Sequence, residues 1–398
     1  MKKNCQTPPH SSMFIIVIFI MMIMTGCSGK EQHEENQYKT TISGMYGADE
    51  TYNDTGVMNS DRGIVYFCDP HTGFRAPICT KINCTHESRN PTNFTPDCDA
   101  YFSEAINCTA IMDDILYYVS SPDDKGIFLK EFCRADKNGI NRKVIAAFDN
   151  VEIPTFMSYE QGYLIYAYQN QDDPSGIPLD KYKIGIILVN LKTGEAKQIE
   201  TGEFPYAQIV TCSVSDNYLY YYFMYNDLDR AYDYDELADP EMQEIMRRSV
   251  KMELWRYNLE DGTKRIVPDP DGYKFKNMGY NYILYLSENR DGYMLKSMGD
   301  GKEYYLADAN AGKESLIQFS EGVIFSYDNT ISIWKCGTDK KEKIGTYPDD
   351  RINILCITEH WVYGIRINDA ESENVSCSKD KFMNGDFDWT VLPLYETR

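Results

Sequence analysis

From residue 63 onward, short aromatic or branched runs alternate with turn residues, and one two-strand unit recurs along the chain. Its clearest copy is MELWRYNLEDGTKRIV, Met252 to Val267, where half-apolar residues lead into Asn258-Leu259-Glu260-Asp261-Gly262 and a second extended run leads out. The pattern predicts a β-hairpin, because aromatic and branched side chains suit a pleated surface and Asp-Gly accepts the positive φ of a tight turn. Ile184 to Ile199 repeats it with Thr193-Gly194 in the turn, and Ile127 to Ile145 with Asn138-Gly139. Tyr293 to Leu306 and Ile331 to Ile344 are shorter copies.

Aromatic strands that open on a turn residue punctuate the hairpins. Seven occur, marked by Val65, Leu116, Leu164, Leu219, Ile283, Val323 and Val362, with separations of 51, 48, 55, 64, 40 and 39 residues. Periods of roughly 40 to 50 residues suit the four-stranded blade of a propeller. One such blade cannot bury both faces alone, so blades pack face to face around a channel, and continuous apolar runs agree with sheets covered on both sides. The expected fold is all-β, a β-propeller of seven blades, with poorly defined first and last copies leaving six or eight open. A pair of β-sandwiches would explain the strands but not the similar units. The longer intervals carry insertions. In the one at 226–250, Asp239 is a good N-cap before Pro240, which predicts one short inserted helix near 240–250. The C-terminal stretch from Ser376 is expected to supply a strand that completes the ring with one from the N-terminal side.

Composition adds an address. With 42% apolar residues the chain can bury a core, and its 32 Tyr supply rings that are apolar on the body and wet at the tip. Lys2 and Lys3 precede the apolar run Met13 to Met24, which is shorter than the roughly 20 residues that span a bilayer and reads as the core of an export signal. Met24-Thr25-Gly26-Cys27 resembles the bacterial lipobox, with Met24 where leucine is commoner, so diacylglycerol is expected on Cys27 after cleavage. The alternative is a plain secretory signal with a chance cysteine. Two acyl chains anchor stably where one does not. The expected division is a lipoprotein signal peptide at 1–26, a lipidated flexible tether at 27–61 whose last part is free to join the fold, and the propeller at 62–398. The formal charge of −21 becomes more negative once Lys2 and Lys3 are removed. Such a chain repels phosphate backbones and anionic headgroups, which excludes nucleic acid and leaves the lipid as the membrane contact.

Tyr220, Tyr221, Tyr257, Asn258, Asp261 and Gly262 carry a resemblance to the Tyr-rich β-propeller lipoproteins of Gram-positive anaerobes, whose xLYY strand and YNLxDG turn are similar to TolB-like repeats. The resemblance covers about Gly63 to the C-terminus. It implies a surface-exposed lipoprotein of largely unassigned role, specific as to fold and weak as to activity. It also implies a Cys, Cys-x-His, Cys-Ala stretch at the first blade.

That stretch holds the most concentrated chemistry. Cys68, Cys79, Cys84, Cys98, Cys108 and Cys133 cluster, and Cys79, Cys84, His86 and Cys98 stand at C-x4-C-x-H-x11-C in a polar segment without strand pattern. Three soft ligands and an imidazole would hold a tetrahedral Zn or Fe ion that pins the loop. One or two disulfides would staple it equally well, and buried reduced thiols are the third reading. Cys212, Cys336, Cys356 and Cys377 lie in or beside strands and read as small core residues. In the insertion, Asp227, Asp229, Asp233, Asp235 and Glu236 lead a crowd of acids that would form a lid or a Ca2+ site, against the plainer reading of a loop whose helix packs its methionines on the rim. Tyr232, Tyr234 and Trp361 would stack on sugars if they line a channel mouth. No G-x-S-x-G, H-E-x-x-H or phosphate-cradling glycine loop occurs, and no catalytic residue is assigned.

The expected function is that of a monomeric binding module on the outer face of a bacterial cytoplasmic membrane, engaging a glycan, peptide or envelope protein at a channel mouth. The alternative is a carbohydrate-active hydrolase or lyase with a carboxylate pair in a central pocket.

Overall fold

The turn at Asn258 shows how the repeated sequence dictates local structure. The Glu260 N–H donates to Asn258 Oδ1 (2.9 Å), the Gly262 N–H donates to the Asn258 carbonyl (2.9 Å), and the Asn258 N–H donates to the Thr263 carbonyl (2.9 Å). Gly262 sits at φ 75°, a left-handed conformation in which a Cβ would be strained. The flanking strands Val250–Asn258 and Lys264–Ile266 pair with Tyr257 opposite Lys264. The same bonds recur around Asn190 with Gly194, and around Asp69 with Gly73. This last copy was not singled out from the sequence.

The computed structural model describes residues 42–43, 50–61, 63–84, 86, 98–102, 105–112, 114–122, 129–149, 151–160, 162–170, 181–232, 236, 238–347, 351–367 and 372–394. Cys27, the expected export signal and most of the expected tether lie outside them. Seven antiparallel sheets follow one another along the chain and form a seven-bladed β-propeller. Blade one comprises Glu50–Tyr52, Val57–Asp61, Ile64–Cys68 and Arg75–Pro77, with Ile42–Ser43 paired to the inner edge of its first strand. Blades two to seven take four strands each, within 105–148, 151–204, 207–266, 273–307, 315–346 and 351–392. All five hairpins read from the sequence are the third and fourth strands of their blades.

Two expectations need correction. Val65 is not equivalent to the other markers: it lies in the third strand of blade one, whereas Leu116, Leu164, Leu219, Ile283, Val323 and Val362 lie in second strands. The first two strands of blade one, ETY and VMNSD, carry too little aromatic signal to be seen; they lie in the last part of the expected tether, the part free to join the fold. The ring is also not completed by strand exchange, because Thr390–Leu392 pairs with Asn374–Ser376 inside blade seven itself. Besides the expected helix, α1 (Pro240–Ser249), a second short helix, α2 (Lys379–Met383), sits between the third and fourth strands of blade seven with Phe382 buried.

First strands of successive blades from three to seven lie against one another around the channel. Register shifts at Phe156/Ser158, Ile209/Thr211, Phe275/Asn277 and Ile354/Cys356 place a bulge in the first strands of blades three, four, five and seven, bending each as it passes the channel. The added strand Ile42–Ser43 runs against the first strand of blade three, so it lies inside the ring.

Candidate metal centre and binding cavity

Cys79 follows the fourth strand of blade one, and Cys98 begins the segment that returns to the same sheet, where the Val65 N–H donates to the Ala100 carbonyl (3.0 Å) and the Phe102 N–H to the Gly63 carbonyl (2.8 Å). Both ends of the connection are therefore fixed on one strand. The chain takes left-handed conformations at Asn83 (φ 69°) and His86 (φ 52°), turning sharply between the ligand-type residues. The ligand atoms of Cys79, Cys84, His86 and Cys98 all lie within 4.8 Å of one another, and His86 Nδ1 is 3.4 Å from Cys98 Sγ. Cys98 is buried and the other three are half-buried. Burial, with the neighbouring Cys84 thiol, pushes the Cys98 thiol up to about 12. At Cys79 burial also opposes the thiolate, but hydrogen bonds from the Lys81 and Asp99 backbone and from the Cys84 and Cys98 side chains outweigh it and hold that thiol below its ordinary range.

The surroundings tie this cluster to blade two. Asp99 pairs with Lys81 (3.0 Å), and its carbonyl accepts from Arg142 Nη2 (2.8 Å), which also reaches the Tyr101 carbonyl (2.7 Å). A Cβ on Gly139 would lie 2.2 Å from the Asp99 carbonyl oxygen, so the blade-two turn needs glycine both for φ 83° and for this close approach. Nothing in the local sequence signals those long-range contacts. Cys68, Cys79, Cys84, Cys98, Cys336, Cys356 and Cys377 are free thiols. Cys68, Cys133, Cys212, Cys356 and Cys377 are buried, and burial raises the Cys68 and Cys377 thiols to about 11. Cys336 is half-buried. The Cys108 side chain lies outside the described residues.

In the insertion, the structure does not bring the described acids together. Glu236 is held by the Arg230 guanidinium at 2.5 and 3.0 Å, and Asp239 caps α1 by accepting from the Glu241 N–H (2.7 Å). Asp233, Asp235 and Tyr234 lie outside the described residues. Asp227 and Asp229 join no cluster of metal-type ligands among the described residues. Helix α1 has no fully buried residue; Met242 and Met246 on it are half-buried, while Pro240, Glu241, Gln243, Ile245, Arg247 and Arg248 are exposed. Tyr232 is tied down, since its N–H donates to the Tyr206 hydroxyl (2.7 Å) and that hydroxyl donates to its carbonyl (2.8 Å). Trp361 faces His71 at a ring separation of 6.2 Å.

Sequence reasoning missed a cavity of about 450 Å³ at one end of blade three, lined by Asp149, Val151, Tyr168, Asn170, Lys183, Gln198 and Glu200. All four strands contribute. Gly185 makes it possible, because a Cβ there would lie 2.7 Å from Tyr168 Cε1 and 2.1 Å from the Ile199 carbonyl oxygen. The ring can thus lie against the third strand. Burial raises the Tyr168 phenol, so it stays protonated. Lys183 is 3.5 Å from Glu203 and 3.8 Å from Glu200, leaving the rim with both signs of charge. A half-polar concavity with amides, a phenol, a cation and carboxylates is suited to a hydroxylated or zwitterionic ligand.

No protein-family model matches the chain, and no curated protein matches it. Solved structures do. The β-propeller domain of the Trilobed protease from Pyrococcus furiosus is 10% identical with a TM-score of 0.47, over 86% of this chain and 93% of that one. The acylaminoacyl peptidase of Pyrococcus horikoshii is 8% identical with a TM-score of 0.48, and the match covers 89% of this chain but 52% of the peptidase. TolB from Acinetobacter baumannii is 10% identical with a TM-score of 0.34, over 89% of this chain and 62% of TolB. The fold itself rests on the sheets: the chain is a seven-bladed β-propeller.

Proposed function

We propose that the chain is an extracytoplasmic binding module, held by diacylglycerol on Cys27 to the outer face of a bacterial cytoplasmic membrane, that engages a glycan, a peptide or an envelope protein. The observation that carries the binding reading is the blade-three cavity, where Asn170, Lys183, Gln198 and Glu200 offer donors and acceptors around the buried Tyr168 ring in one concave surface. The apolar run Met13 to Met24 and the small residues before Cys27 support the anchor. A flexible tether would hold the acidic propeller clear of anionic headgroups.

The test is a glycan and peptide array probed with the purified chain, followed by titration of each hit against Tyr168→Ala and Lys183→Ala. Binding at least tenfold weaker in both variants is expected, and unchanged binding would remove the cavity from the reading. Labelled fatty acid should enter wild type and not Cys27→Ala; label retained by the variant removes the anchor. Asp149 and Glu200 line the same cavity, which favours a carbohydrate-active enzyme as the second reading. A glycan cleaved by wild type and spared by Asp149→Asn or Glu200→Gln would establish it.

A further inference from the structure

We infer that Cys79, Cys84, His86 and Cys98 bind one tetrahedral divalent metal ion of the zinc class, Zn2+ or Fe2+, and that this ion fastens the connection between blades one and two. The four ligand atoms converge within 4.8 Å of one another although the outer two residues are 19 positions apart. Around a zinc ion at about 2.3 Å from sulfur and about 2.0 Å from nitrogen, tetrahedral donors stand about 3.5–3.8 Å apart. The His86 Nδ1 to Cys98 Sγ separation is 3.4 Å, and with every pair within 4.8 Å, closing onto an ion shifts no pair by more than about 1 Å.

A disulfide would draw two sulfurs to about 2.05 Å and leave the third thiol and the imidazole converging without a partner. Only an ion uses all four. Three thiolates and a neutral imidazole are soft to borderline donors, which select Zn2+ or Fe2+ over Ca2+ or Mg2+. Binding displaces one proton from each thiol, three in all, and leaves a site of net charge −1; no electron is transferred. With four protein ligands no position is left open, so the site is structural. The protein around it is already arranged as support: Lys81 holds Asp99, next to Cys98, and Arg142 of blade two holds the Asp99 carbonyl. The ion would therefore lock two blades whose connection is the long segment from Ile78 to Phe102. This proposal stands apart from the ligand of blade three, and either can fail alone.

The experiment uses the full chain, purified in detergent under reducing, chelator-free conditions and then loaded with Co2+. Wild type should bind one equivalent and show the intense visible bands of tetrahedral cobalt with thiolate charge transfer in the near ultraviolet, all displaced by stoichiometric Zn2+. Cys84→Ser and Cys98→Ser should bind at least a hundredfold more weakly, while His86→Cys should keep the stoichiometry and shift the bands. The decisive readout is on wild type, so a variant that fails to fold does not blunt it. Absence of the tetrahedral spectrum from folded wild type overturns the proposal. So does a disulfide between any two of the three cysteines that persists without added oxidant and whose reduction produces no metal uptake.

Discussion

Between blades three and four, Ile165, Ile186 and Leu188 face Val214, Leu219 and Phe223, and Phe204 of blade three meets Tyr225 of blade four with ring centroids 4.2 Å apart. Between blades seven and one the apolar cluster is smaller, built around Tyr52, Val57, Cys68 and Tyr363, and hydrogen bonds crowd it. The Tyr363 hydroxyl donates to the Asn53 carbonyl (2.8 Å), Ser376 to the Pro70 carbonyl (2.5 Å), the Asn59 amide to the Leu394 carbonyl (2.7 Å), and the Thr358 hydroxyl to Asp54 (2.8 Å). Chain connectivity explains the contrast. Blades three and four are joined by a two-residue link, whereas Asp54 and His360 are 306 positions apart and no strand is exchanged among the described residues. An apolar face tolerates sliding. A seam assembled from the two ends of the chain needs directional bonds to set its register, and it bears the largest loop-closure entropy in the ring.

The contrast makes a mutational claim. Phe223→Ala should destabilise the protein by about 3–5 kcal/mol, the usual range for a buried ring replaced by a cavity. Tyr363→Phe keeps the ring and removes one buried hydrogen bond, so about 1–2 kcal/mol is expected. Urea unfolding followed by tyrosine fluorescence gives both values. A Tyr363→Phe loss as large as that of Phe223→Ala would mean that the closing seam depends on its polar bonds more than its apolar packing, and the comparison would have to be redrawn.

Next in size is a pair of glycines in equivalent turns. Gly194 has no atom within 4 Å of where a Cβ would stand, so Gly194→Ala meets only the strain of φ 74°, about 1 kcal/mol. Gly139→Ala adds an overlap with the Asp99 carbonyl at 2.2 Å and should cost about 2–4 kcal/mol in total. It should also weaken Co2+ binding, since Asp99 adjoins Cys98. Equal losses at the two turns would show that the seam between blades one and two yields easily at this point.

Those two glycines also mark what the sequence could and could not convey. Both were legible as hairpin turns, because a local signal, Gly after Asn or Thr between aromatic runs, specifies the turn. Their different surroundings were not, because Asp99 reaches Gly139 only after 40 residues of chain have folded back. The Cys/His spacing likewise marked a staple without saying which kind, since convergence of four donors is a property of coordinates. The first blade misleads for a local reason: ETY and VMNSD lack the ring-rich pattern of the other blades, so the third strand IVYFC reads as the equivalent of Leu116 and the later markers. The blade-three cavity depends on Gly185 admitting the Tyr168 ring, and a glycine within IGIILVN gives no sign of that.

The smallest effect is the most selective for the closing seam. His360 Nδ1 is 2.5 Å from Asp54 Oδ2, and its backbone N–H donates to Asp54 Oδ1 at 2.7 Å. The hydrogen bond to Asp54 raises the His360 pKa above its ordinary 6.5, against a smaller opposing effect of burial, with Glu359 reinforcing it and Lys379 opposing. A raised histidine stabilises the fold when protonated. Its contribution is therefore fully present below about pH 6.5 and is lost as the pH rises through the raised value. Because the side chain is 67% exposed, the contribution is at most about 1 kcal/mol and shrinks with salt. The stability difference between wild type and His360→Gln should thus be largest at acid pH and fade above neutrality, while that between wild type and Phe223→Ala stays level across the same range. A level difference for His360→Gln would mean that Asp54 holds the closing turn through its bonds to the His360 N–H and the Thr358 hydroxyl, with the imidazole a bystander.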